Sequence, residues 1–99
     1  MSVKRRPAFV VAIAEYGRFE DYLLCVISAT NTAADPLSVP YELVDFSEGS
    51  LGRPGYVQVR YLFTMDGNQI NRKIARFSPS VCQRVRNNLA EWLMPQLGS

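Results

Sequence analysis

Tyr56-Val57-Gln58-Val59-Arg60-Tyr61-Leu62-Phe63 is the stretch on which the reading of this 99-residue chain turns. Val57, Val59, Tyr61 and Phe63 recur at every second position, with Gln58 and Arg60 between them. That period predicts a β-strand with one packed face and one face free to carry function. Downstream, Asp66-Gly67 marks a tight turn. Lys73-Ile74-Ala75-Arg76-Phe77 then alternates cation with apolar residue and reads as a short last strand. Ser78-Pro79 has the form of a helix N-cap followed by an N1 proline. Val81, Val85, Leu89, Trp92 and Leu93 repeat at helical spacing up to the stop before Pro95, and that apolar stripe reads as core packing.

Upstream, Phe46 to Gly55 holds three Gly, two Ser and a Pro and reads as a loop. Val39 to Asp45 alternates weakly, and Pro40 assigns it to a sheet edge. Thr30 to Ser38 is a loop by composition. Tyr22 to Ala29 (YLLCVISA) reads as a buried strand, and Glu15 to Asp21 as a polar turn around Gly17. Ala8 to Ala14 (AFVVAIA) is an apolar run opened by Pro7, which predicts a strand buried on both faces. Five or so short strands followed by one helix predict a mainly β (α+β) domain over 1–99, a strongly bent antiparallel sheet or barrel capped by that helix.

The apolar share of 47% and charged share of 20% exclude wholesale disorder. No apolar run reaches membrane-spanning length and the start lacks a signal-peptide layout, so a cytoplasmic protein is expected. Cys25 and Cys82 without a CxxC read as buried free thiols. The net charge of +2 hides an asymmetry: residues 1–51 sum to −3 and residues 52–99 to +5. Nine of the eleven cations are Arg, the residue suited to bidentate phosphate recognition and to stacking on bases, which points to an anionic partner.

The chain has no His, which removes the commonest metal ligand and general base, and with them any Ser-His or Cys-His nucleophile system. Walker, Rossmann, zinc and nucleophile-elbow spacings are missing too, and neither metal nor cofactor is expected. Arg, hydroxyls and aromatics remain, a set suited to binding a phosphodiester and stabilising charge on it. Lys4-Arg5-Arg6-Pro7 stands at the mouth of the first strand. Pro7 biases Arg6 toward an extended backbone, which either aims its guanidinium at a phosphate or leaves three cations solvating a terminus.

Two blocks, in order and with matching spacing, resemble the MazF/PemK toxins of type II toxin–antitoxin systems. The first is Lys4 to Val11 (KRRPAFVV) followed by Leu24 to Thr30 (LCVISAT). The second is Leu51 to Val59 (LGRPGYVQV), continuing through Leu62 to Asp66 (LFTMD) and Ile74 to Pro79 (IARFSP). The resemblance implies an SH3-like barrel, a homodimer, a cognate antitoxin peptide, and metal-independent cleavage of single-stranded RNA. In that reaction the RNA's own 2′-OH attacks the adjacent phosphate, leaving a 2′,3′-cyclic phosphate and a 5′-OH. The family's Arg-Pro arginine and strand-end hydroxyl fall here on Arg6 and Ser28, with Thr30 a second choice. Arg5, Thr30, Arg53, Tyr56 and Arg60 are the expected RNA contacts. Tyr61 reads as a packing residue because its face is apolar.

The chain departs from that pattern in two places. Members normally open with a further strand and a Gly-Asp loop, whereas only Met1-Ser2-Val3 precede Lys4, so the chain reads as short at that end. Some members carry Arg-x-Asp in the long strand as an acid/base pair; here Gln58-Val59-Arg60 stands there, and the general base is unassigned. Two rival readings follow, a non-catalytic RNA- or peptide-binding module of the same fold and a gyrase-poisoning toxin of the related branch.

Overall fold

Gly17 adopts φ +61°, a conformation open to glycine at no steric cost. It lets β1 (Ala8–Tyr16) reverse into β2 (Phe19–Ser28) with Tyr16 opposite Phe19. The structure, a computed structural model, describes residues 6–31 and 33–99. β3 (Val39–Tyr41), β4 (Phe46–Gly49), β5 (Gly55–Asp66) and β6 (Ala75–Phe77) follow, and then the helix α1 (Pro79–Leu93). β1, β2, β5 and β3 form an antiparallel sheet in that spatial order, and β4 pairs with β6 in a second, two-stranded sheet. The result is a curled half-barrel with one C-terminal helix.

The long strand β5 supplies the curl. Its register against β2 jumps from Cys25↔Leu62 to Val26↔Gln58, which leaves Val59, Arg60 and Tyr61 outside the ladder. Such an irregularity bends the strand and resets which face each side chain takes. Val57 and Val59 are sealed in the core, but Tyr61 is 54% exposed. The alternation that assigned Tyr61 to the packed face is thus broken by the bend.

Two further expectations are corrected. β1 is an edge strand of the described sheet, not one buried on both faces. Phe9 and Val11 pack on the core, while Val10 and Ile13 are 46% and 45% exposed. An apolar run reports tolerance of an apolar environment, and among the described residues no second layer covers that side. β4 lies inside the stretch read as loop. Its pairing with the distant β6 overrides a glycine- and serine-rich composition. Gly49, at φ +62°, also lets the strand approach the Ile74 carbonyl, where a Cβ would collide.

The core consists of Cys25, Val39, Tyr41, Val57, Val59, Val81 and Val85. The helix adds Val81 and Val85 from one face, as its spacing predicts. Ser78 holds the extended N-cap conformation before Pro79, although its hydroxyl makes no capping bond. Asn88 Nδ2 donates to the Leu37 carbonyl at 2.8 Å, fastening the helix to the 30–38 loop. At one end of the core, Phe46 stacks on Phe77 (4.7 Å between ring centres), and Tyr41 meets both edge-on. Aromatic pairs in these geometries add to the stabilisation from area burial alone, about 1 kcal/mol each.

Candidate functional site

The β1–β2 ladder closes at Ala8↔Val26. Two residues beyond that pair on each strand, Arg6 and Ser28 both reach a groove of about 1010 Å³. Pro7 fits this place: it precedes the ladder, where a missing N–H costs nothing, and keeps Arg6 extended. Thr30 and Arg53 line the same groove. Gly52, at φ +83°, donates its N–H to Ser50 Oγ at 2.9 Å and forms the bend that presents Arg53. Four of the sequence-predicted residues therefore converge on one depression.

Ser28 is half-buried at the strand end. Its Oγ accepts the Thr30 N–H at 3.2 Å, and the Thr30 carbonyl accepts a hydrogen bond from Gln58 Nε2 at 3.0 Å. A serine oxygen that accepts from the backbone keeps its own proton to donate. Gln58, read from sequence only as a departure, pins the loop that orients Ser28.

The remaining predicted residues lie elsewhere. Tyr56 is half-buried and paired in the ladder with Ser28 and Pro40, beside the groove but outside its lining. Arg60 Nε donates to Asp35 Oδ2 at 2.8 Å and borders a second hollow, of about 480 Å³, with Trp92 and Glu91. The Leu37 N–H, first, and the Arg60 guanidinium, second, hold the Asp35 carboxyl below its ordinary value. Arg5 lies outside the described residues.

Three groove residues went unmarked in the sequence. Arg72 and Lys73, between Gln69 and β6, bring two more cations to the lining. Their signal was the cationic excess of residues 52–99, but alternation assigned Lys73 to a strand. Tyr41, read as part of a weak edge strand, closes the groove from within the core. Burial pushes its phenol pKa up, and the Arg53 charge offsets only part of that.

Among the described residues the lining contains Arg6, Arg53, Arg72 and Lys73 and no carboxylate. Among the described residues, Lys73 alone of the four makes an ion pair, with Glu48 at 3.9 Å, and both side chains of that pair are largely exposed. Cations left uncompensated around hydroxyl donors make a receptor for a polyanion, most of all one with planar oxygen pairs such as a phosphodiester. Cys25, at the back of this sheet, is a buried free thiol whose pKa burial pushes up to about 11. No helix is long and apolar enough to cross a membrane among the described residues. The family model for PemK-like, MazF-like toxins of type II toxin–antitoxin systems matches residues 2–93. No curated protein matches the chain.

Proposed function

The chain belongs to the PemK-like, MazF-like toxin family of type II toxin–antitoxin systems, which implies an antitoxin partner, and from that premise we propose that it is a metal-independent endoribonuclease acting on single-stranded RNA in the cytoplasm. The observation that carries this reading is the meeting of Arg6 and Ser28 in a cationic groove whose described lining has no carboxylate. The RNA brings the nucleophile. Its 2′-oxygen bonds to the adjacent phosphorus, the bond to the 5′-oxygen breaks, that oxygen takes a proton from water, and the products are a 2′,3′-cyclic phosphate and a 5′-OH.

Arg6, permanently protonated, stabilises the charge that builds on the phosphorane oxygens. Ser28 donates its hydroxyl proton to a phosphate oxygen, held in position by the Thr30 N–H. Arg53, Arg72 and Lys73 hold the flanking phosphates, and Thr30 borders the path of the chain. The 2′-OH proton finds neither imidazole nor carboxylate in the described lining and passes to solvent hydroxide. The exposed apolar side chains of the β1–β2 hairpin, Val10, Ile13, Tyr16 and Phe19, favour a homodimer.

Cleavage of a mixed-sequence single-stranded RNA in EDTA tests the proposal, with wild type beside Arg6→Ala and Ser28→Ala. Cyclic phosphate ends from wild type, and strong loss in both variants, are expected. RNA that is bound but left intact would replace the enzyme with a binding module. That second reading draws on Gln58 and Arg60, both engaged in bonds within the chain where some relatives carry an acid/base pair.

A further inference from the structure

Tyr41 is 3% exposed, and its ring is held by Phe46 and Phe77. It nevertheless lines the cationic groove, so the small part of it that meets solvent does so there. Its hydroxyl has no hydrogen-bond partner among the described residues, where no side-chain oxygen or nitrogen sealed from solvent goes unpaired. Tyr41 therefore brings to the groove lining a hydroxyl that no described residue engages. A buried phenol normally finds a partner, because leaving it unpaired is costly.

The room at this hydroxyl is kept by Gly55, itself buried. A Cβ on Gly55 would stand 2.8 Å from the phenol oxygen and 2.7 Å from the Ser28 carbonyl oxygen. With no side chain on Gly55, the phenol oxygen and the Ser28 strand end come close together. Arg53 lines the same groove, and its charge offsets part of the effect of burial on the phenol. Arg6, Arg53, Ser28 and Thr30 line the same groove as Tyr41, and its described lining has no carboxylate, so the ligand atom that best suits the phenol is an anionic oxygen accepting its proton.

We propose that Tyr41 is a substrate-binding residue of this groove, donating its hydroxyl to a non-bridging oxygen of the flanking phosphodiester held by Arg53. The inference rests on the RNA reading above and extends it to a neutral donor on the groove floor. A rigid, ring-clamped donor loses little freedom on binding, unlike the long arginines around it. A contact to phosphate positions the chain without reading its sequence.

The test is binding of 2′-deoxy oligonucleotides, which lack the nucleophile and so are not consumed. Fluorescence anisotropy compares wild type, Tyr41→Phe and Arg6→Ala on mixed-sequence, oligo(dT) and oligo(dA) probes over a salt series. We expect Tyr41→Phe to weaken all three about tenfold with the salt slope unchanged. Arg6→Ala should flatten that slope by about 0.7, the value for one phosphate contact on a single strand. Wild-type affinity in Tyr41→Phe, with Arg6→Ala still weakened, overturns the role of Tyr41 and leaves the groove reading standing. A loss confined to one base overturns the phosphate contact. No binding by wild type overturns the groove reading and the inference with it. Melting temperatures of wild type and Tyr41→Phe should coincide; a lower value for the variant would reveal an internal partner for the hydroxyl and likewise overturn it.

Discussion

Arg6 and Arg60 are both exposed arginines beside strands of one sheet, yet they have opposite surroundings. Arg60 meets Asp35, whose carboxylate is already oriented by the Leu37 N–H, and borders a hollow that also holds Glu91. Asn31 and Asp35 exchange hydrogen bonds in the same loop, so Arg60 keys that loop to the bend of β5. Arg6 faces a groove lined by Arg53, Arg72 and Lys73 with no described carboxylate in the lining. Arg60 is tied into the fold by an ion pair, whereas Arg6 stands among other cations. The difference comes from where the carboxylates lie, and a count of cations along the chain does not reveal it.

The sharpest way to break this comparison is to truncate each arginine in turn. Arg6→Ala should lower RNA cleavage about a hundredfold or more, in line with removal of one charge-stabilising donor at a reacting centre, and leave the melting temperature unchanged. Arg60→Ala should do the reverse, with cleavage within about twofold of wild type and a lower melting temperature. Exchanged phenotypes would refute the assignment of the two sites. Rate against pH comes next. With hydroxide taking the 2′-OH proton, single-turnover cleavage should climb about tenfold per unit between roughly pH 6 and 8. A bell-shaped profile would mean that a side chain of this protein acts as the base.

A smaller effect sharpens the Arg60 side. The folded state holds the Asp35 carboxyl below its ordinary value, so it binds fewer protons there than the unfolded chain. The contribution is present in full above about pH 4 and is lost as pH falls through the folded value. The melting-temperature gap between wild type and Asp35→Asn should therefore shrink in acid, and a gap independent of pH would exclude this ion pair as its source. The smallest effect concerns the shared core. Cys25 is sealed and its pKa raised to about 11, whereas Cys82 is half-buried. Alkylation of the native protein near pH 8 should label Cys82 first and reach Cys25 only on unfolding. Early labelling of Cys25 would show that the sheet behind the groove opens.

Much of the fold was legible because it rests on local periodicity. Val81 and Val85 at helical spacing after Ser78-Pro79 gave α1, and the turn at Gly17 gave the hairpin. β4 was not legible, since Phe46–Gly49 becomes a strand only by meeting Ala75–Phe77 far along the chain. The site followed the same division. Arg6 and Ser28 were marked by their motif positions, and Arg53 was among the expected RNA contacts. Arg72, Lys73 and Tyr41 carry no local signal, and they enter the groove only because the β4–β6 pairing and the aromatic cluster fold that region over the strand ends.

The amino-acid sequence alone determined a mainly β chain with a closing helix, an arginine-rich character, and the lack of any histidine. These properties belong to residue types and to short-range repeats, which act within a few residues of each other. Only the tertiary structure decided that Tyr61 faces solvent, that Arg60 is paired, and that Tyr41 sits beneath the cations. Those outcomes depend on the bend at residues 59–61 and on contacts between residues far apart in sequence, which no local pattern encodes.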